Sequence, residues 1–171
     1  MQNETEIVLD RARPEELDIC CAIIDSGRKF QREQGFIQWS DEYPGRELLL
    51  DDIRAGKGYL LRVNGRAAGY LCMDFDGEPA YREIRGAWRL EEPYAVIHRM
   101  AVSEEFRGKG LADKAFGLAG ELCLKKGIGY MRADTDYPNK RMQHILEKNG
   151  FVLCGEISYE SGDRLAYDKR L

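Results

Sequence analysis

Histidine is scarce in this chain. Only His98 and His144 occur among 171 residues, too few to suggest a dedicated metal site. The five cysteines, Cys20, Cys21, Cys72, Cys123 and Cys154, are odd in number, scattered, and form no C-x-x-C pair. Neither a disulfide framework nor a redox motif is expected; they read as reduced thiols of a cytoplasmic protein. Cys72, Cys123 and Cys154 lie in apolar segments, where a small buried hydrophobe is the reading. No apolar run approaches the roughly 20 residues that cross a bilayer. The opening "MQNETEIVLD" is too polar and acidic for a secretory signal, so no membrane partner is expected. Positive charge is not in excess either. With 26 Lys and Arg against 30 Asp and Glu, the net charge is −4, which disfavours non-specific nucleic-acid binding.

What remains is an ordinary globular composition, 43% hydrophobic and 33% charged, of a length that suits one domain over residues 1–171. Strands and helices alternate. "EIVLDRA" reads as a strand. Pro14, Glu15 and Glu16 open a helix in which Leu17, Cys20, Cys21, Ile24 and Arg28 share a face. "FIQWSDEYP" is an aromatic loop and "GRELLLDDIRAG" a short second helix. Asn64-Gly65 between two apolar runs predicts a type I′ hairpin. Residues 75–93 are acidic and punctuated by Pro79, Gly86 and Pro93, which suggests a long connection with some strand around Tyr81 to Trp88. "YAVIHRMAV" is a buried strand, followed by a helix from about Gly110 to Lys126 in which Gly117 and Gly120 permit close packing. "IGYMRADT" is a strand and "PNKRMQHILEKNG" a helix with Met142, Ile145 and Leu146 inward. A last hairpin turns around Ser161-Gly162-Asp163. The order β-α-α-β-β-β-α-β-α-β-β implies an α/β protein with a mixed sheet and helices on both faces.

The stretch "FRGKGLAD", Phe106 to Asp113, packs two glycines and two cations into the junction between a strand and a long helix. The first amides of a helix lack intrahelical partners and its dipole is positive there, so an anion is favoured, and glycine lets it approach the backbone. Taken locally, an anion loop and a plain glycine turn are equally good readings. Two phosphate motifs fail. Lys109 is followed by Gly110, not by the Ser or Thr of a Walker loop, and Gly108-x-Gly110 has no third glycine at Asp113 for a dinucleotide fingerprint.

R-x-x-G-x-A does match, as Arg107, Gly110 and Ala112, five residues after a strand ending in "MAV". Together with "NKRMQHILEKNGF" downstream, this resembles the GNAT superfamily of acetyl-coenzyme A-dependent N-acetyltransferases, over Tyr94 to Phe151 and in element order beyond. The resemblance implies the acyl-coenzyme A N-acyltransferase fold, with acetyl-coenzyme A as acyl donor and no metal. It places the donor against the strand Met100, Ala101 and Val102, whose backbone pairs with the pantetheine amides. The pyrophosphate would lie on the loop Arg107, Gly108, Lys109, Gly110, Leu111, Ala112 and Asp113, mainly on its backbone amides, with the side chains of Arg107 and Lys109 secondary. Asn139 matches the family asparagine near the reacting end.

The chemistry implied is direct attack of an amine on the thioester, which needs a base for the amine proton. His98, four residues before Val102 and of the same strand parity as Met100, matches a base of the arylalkylamine branch. A partly buried strand histidine is an equal reading. Asp134, five residues before Asn139, matches the acid of another branch, or it anchors a strand end. The branch that uses a strand glutamate has Val96 here, and the family's tyrosine acid is replaced by Leu146. Tyr137 and Tyr159 are candidates to replace it. By analogy, Trp39 and Tyr43 of the aromatic loop would bind the acceptor, a small primary amine. The missing tyrosine keeps an acyl-coenzyme A-binding module in view, and a protein or peptide acceptor is the other alternative. Homodimers are frequent in the family.

Overall fold

The computed structural model describes residues 4–171. In chain order the elements are β1 (Ile7–Arg11), α1 (Leu17–Glu33), α2 (Arg46–Arg54), β2 (Gly58–Val63), β3 (Arg66–Asp74), β4 (Arg85–Gly86), β5 (Ala95–Val102), α3 (Leu111–Lys125), β6 (Tyr130–Thr135), α4 (Lys140–Lys148), β7 (Val152–Tyr159) and β8 (Gly162–Arg170). The expected order is present with one addition, the two-residue β4. Short 3-10 turns precede α1 (Pro14–Glu16), β4 (Pro79–Glu83) and α3 (Glu104–Phe106). Among the described residues, no helix is long and apolar enough to cross a membrane.

The chain forms two compact units. One takes the chain up to Cys72 and again over Arg99–Leu118; the other takes Met73–His98 and Ala119–Leu171. In the first, β1, β2 and β3 are antiparallel neighbours, with Ile7 opposite Val63 and Gly58 opposite Cys72. Asn64 and Gly65 have φ of 49° and 81°, the paired left-handed conformation of the expected type I′ turn. The Arg99–Val102 end of β5 runs beside β3, and Ser103 N–H donates to the Ala68 carbonyl at 2.7 Å. α1 buries Leu17, Cys20, Ile23 and Ile24 first, then Arg28 and Gln31, so its inward stripe turns from apolar to polar toward the C-terminal end. Two buried charges are paired here. Asp52 receives both Arg99 donors, at 2.7 and 2.9 Å, and the Tyr70 hydroxyl at 2.8 Å. Glu16 receives two Arg62 donors, at 2.8 and 2.9 Å, and the Arg62 hydrogen bonds hold its carboxyl down at about 2.

In the second unit, the Ala95–His98 end of β5 is parallel to β6, β6 is antiparallel to β8, β8 to β7, and β7 to β4. Parallel and antiparallel neighbours together make the expected mixed sheet. Residues 75–93 form the expected long connection, with less strand than the span from Tyr81 to Trp88 allowed. Tyr81 sits in a 3-10 turn and strand is confined to Arg85–Gly86. The reason is packing: Tyr81 and Trp88 are buried with Val96 and Ile157, so this acidic segment is tied to the core by its aromatics. The final turn is one step earlier than expected. Tyr159 pairs with Gly162, which leaves Glu160-Ser161 as the turn and puts Asp163 in β8. Of the two α3 glycines, Gly120 has the expected close neighbour, since a Cβ there would lie 3.1 Å from Leu171 Cδ2; a Cβ at Gly117 would meet nothing within 4 Å.

Candidate functional site

The loop between β5 and α3 is built almost wholly from backbone. Gly108 and Gly110 have φ of 81° and 72°, left-handed values that L side chains avoid. A Cβ at either would meet no heavy atom within 4 Å, so the two glycines serve conformation and leave the backbone open. Lys114 N–H bonds back to the Gly110 carbonyl at 3.3 Å; the amides before it lie in the first turn, where helix geometry provides no partner. First-turn amides beside two left-handed glycines fit an anion close to the main chain.

Both cations of the loop are occupied. The Arg107 guanidinium lies 4.0 Å from the Phe30 ring centroid and donates to the Ser26 carbonyl at 3.1 Å and to Ser26 Oγ at 3.2 Å. Exposed Lys109 has its Nζ 5.6 Å from the ring centroid of buried Phe106. On β5, Met100 and Val102 are half-buried and Ala101 is buried. Arg99, just before them, has φ of 51°. A left-handed residue breaks the pleat, so the parity linking His98 to Met100 in the sequence does not carry through Arg99.

Trp39 is buried at 6% in the core of the first unit, and its backbone N–H donates to Gln31 Oε1 at 3.0 Å. It anchors the aromatic loop from beneath. Tyr43 is 46% exposed in the same loop. Arg28 fixes the loop's backbone, donating to the carbonyls of Ser40 at 2.7 Å and Pro44 at 3.0 Å.

The second unit gathers titratable side chains. Asp134, at the end of β6, takes the hydroxyls of Tyr81 at 2.7 Å and Tyr159 at 2.8 Å, both on Oδ2. Burial raises its carboxyl above the ordinary value, against the two phenol donors and the charge of Arg164, which favour ionisation. Burial, and then the charge of Asp134, push the Tyr81 phenol well up. His98 is half-buried, with Nε2 3.5 Å from Glu78 Oε2. Glu78 is itself held, accepting Ala80 N–H at 3.2 Å and donating its own N–H to the Tyr94 hydroxyl at 3.3 Å. Asn139 caps α4, its Oδ1 accepting Met142 N–H at 3.1 Å. Leu146 is 1% exposed, a core residue where the family tyrosine would stand.

Tyr81, Glu78 and Ser26 were not singled out as site residues from the sequence. The first two lie in the acidic connection over residues 75–93. The available signal was its aromatic content, Tyr81, Trp88 and Tyr94 at intervals within a polar run. Ser26 carries no local signal.

The comparisons place the chain in a class. Residues 24–151 match the family model described as the acetyltransferase (GNAT) family, and the chain belongs to that family. It is similar to a GNAT-family acetyltransferase of Streptococcus agalactiae 2603, with 33% identity, a TM-score of 0.87, and cover of 96% of this chain and 95% of that one. A GNAT-family acetyltransferase of Listeria monocytogenes 4b F2365 shares the fold at 20% identity and a TM-score of 0.77, covering 96% and 95%. The aminoglycoside acetyltransferase AAC(6')-Ib, in complex with coenzyme A and kanamycin, shares it at 19% identity and 0.71, covering 96% and 95%. None of the curated proteins matches the chain.

Proposed function

We propose that this GNAT protein is an N-acetyltransferase that moves an acetyl group from acetyl-coenzyme A to a primary amine of a small molecule, with residues 1–171 acting as one domain. The observation that carries the reading is the open backbone at Gly108 and Gly110 at the head of α3. Amides of Gly108, Lys109, Gly110, Leu111, Ala112 and Asp113 hold the pyrophosphate, and the main chain of Met100, Ala101 and Val102 holds the pantetheine. Bound there, the donor supplies an activated acetyl thioester. The chain's own residues orient it, polarise its carbonyl with a main-chain N–H near Met100 and take the amine proton. Asp134 and His98 are the two candidate bases. A carboxyl raised by burial is a better proton acceptor near neutrality than an ordinary one. Tyr43 contacts the acceptor, on the loop that Trp39 anchors, and Asn139 lies by the donor.

The test is release of coenzyme A thiol from acetyl-coenzyme A across a panel of small amines, aminoglycosides and peptides. Turnover on a small amine above the hydrolysis background supports the reading. Tight coenzyme A binding with no turnover on any acceptor favours a second reading, an acyl-coenzyme A-binding module. Leu146 is the observation behind that alternative, since a buried leucine cannot protonate a leaving thiolate. Turnover on peptides alone would move the acceptor to proteins.

A further inference from the structure

We propose that Ser26 is a positioning residue for the acyl-donor loop, and that Arg107, the arginine of the R-x-x-G-x-A motif, works through Ser26 rather than on the phosphates. The inference rests on the acyl-donor reading of that loop. Ser26 Oγ accepts the Glu104 N–H at 2.8 Å, at the entry of the 3-10 turn that precedes the glycines. The same oxygen, and the Ser26 carbonyl, accept the Arg107 guanidinium at the exit of that turn. One side chain of α1 therefore closes both ends of a four-residue bracket, and Gly108 follows it directly. The guanidinium face is spent on Phe30, and one of its terminal nitrogens is spent on Ser26. A charge held in this way sets where the following amides point.

The next two residues of α1 tighten the same join. A Cβ at Gly27 would lie 2.7 Å from Ala101 Cβ and 3.0 Å from the Trp39 ring, so α1 meets the donor strand there at a distance only glycine permits. Arg28 then holds the aromatic loop through the Ser40 and Pro44 carbonyls. Ser26, Gly27 and Arg28 thus hold the phosphate loop, the donor strand and the aromatic loop from successive positions of one helix turn.

A double-mutant cycle tests this, with coenzyme A as the probe and titration calorimetry as the readout. Ser26→Ala and Arg107→Ala should each weaken binding by roughly 10-fold, the scale of losing hydrogen bonds to a charged donor. The double variant should be no weaker than the worse single variant, because both remove one latch. Ser26→Thr, which keeps the hydroxyl, should restore affinity and guards against a misfolded alanine variant. Arg107→Ala should also keep the wild-type dependence of binding on salt. Amide hydrogen exchange without coenzyme A gives an independent reading: residues 104–110 should exchange faster in Ser26→Ala, with residues 38–44 unchanged. Wild-type affinity and exchange in Ser26→Ala beside a large loss in Arg107→Ala would overturn the latch and return Arg107 to the phosphate. No coenzyme A binding by the wild-type protein would instead remove the donor reading, and the inference with it.

Discussion

The loop after β5 and the cluster around Asp134 do their work with opposite materials. The loop presents main-chain amides, shaped by two left-handed glycines and braced through Ser26; its charged side chains are turned to aromatic rings. The cluster is all side chain: a carboxylate between two phenols, and an imidazole beside a second carboxylate. The distinction has energetic content. Main-chain dipoles do not titrate, so the loop should be indifferent to pH and sensitive to backbone shape. A buried carboxylate without a hydrogen-bonded cation is the reverse. Asp168, on the neighbouring strand β8, sharpens the point. It also takes a phenol, Tyr130 at 2.6 Å, but adds Arg89, and its carboxyl is lowered although burial alone would raise it. At Asp168 the hydrogen bonds from Tyr130 and Arg89 outweigh burial; at Asp134 burial outweighs the two phenols and the charge of Arg164, which leaves that carboxyl the readier for a proton.

The sharpest break in the comparison is Asp134→Asn. If the carboxylate is the base, turnover should fall about 100-fold or more with coenzyme A affinity unchanged. Stability should move the other way. A carboxyl raised in the folded state contributes stability at low pH that is lost as pH rises through the folded value. The variant should therefore melt above wild type at neutral pH and lose that advantage in acid, as a melting series across pH would record. Glu16 supplies the opposite sign. Its lowered carboxyl stabilises the fold above its ordinary value of 4.5, and that contribution should vanish as pH falls toward 2; Glu16→Gln should flatten this limb. Retained turnover in Asp134→Asn would leave His98 as the base.

The loop's counterpart is Gly110→Val. A β-branched residue at φ of 72° is strained whatever the free space, and relaxing it moves the amides. Coenzyme A affinity should drop by about 10- to 30-fold at every pH. A variant that bound like wild type would show that the amides are not the cradle.

These two regions were unequally legible in the sequence. The loop's position between strand and helix could be read because that information is local, like Asn64-Gly65 in its hairpin, although its ligand rested on the family resemblance and on "NKRMQHILEKNGF" downstream. The cluster could not, because its partners are far apart in the chain. Tyr81 and Asp134 are 53 residues apart, and Arg107 and Ser26 are 81 apart. Residue type showed that Arg107 was cationic but not what it would meet. Residues 75–93 were legible as a connection with exposed acids, but the burial of Tyr81 and Trp88 was not, because it depends on partners as distant as Ile157.

Tyr159→Phe probes the cluster more gently. The Tyr159 hydroxyl bonds the ionised form of Asp134 and so lowers its pKa. Without it the carboxyl should rise further, and the acid limb of the rate profile should move to higher pH, with a loss of only a few-fold at the optimum. A limb that stayed in place would assign the titration to another group.

The smallest expected effect belongs to the most conspicuous charge. Lys109→Glu reverses a cation in the middle of the loop after β5, and a reading based on charge would give it the largest loss of all. Its ammonium is exposed, lies over Phe106, and shares the surface with Glu104 and Glu105. Charges in water at this kind of exposure are worth about 1 kcal/mol or less, and salt weakens them further. Binding of coenzyme A should weaken by only about 3- to 5-fold at low salt, with the gap closing as salt is raised. A loss larger than that of Gly110→Val would reverse the ranking, because the loop would then hold its anion by side-chain charge, and the contrast with the Asp134 cluster would disappear.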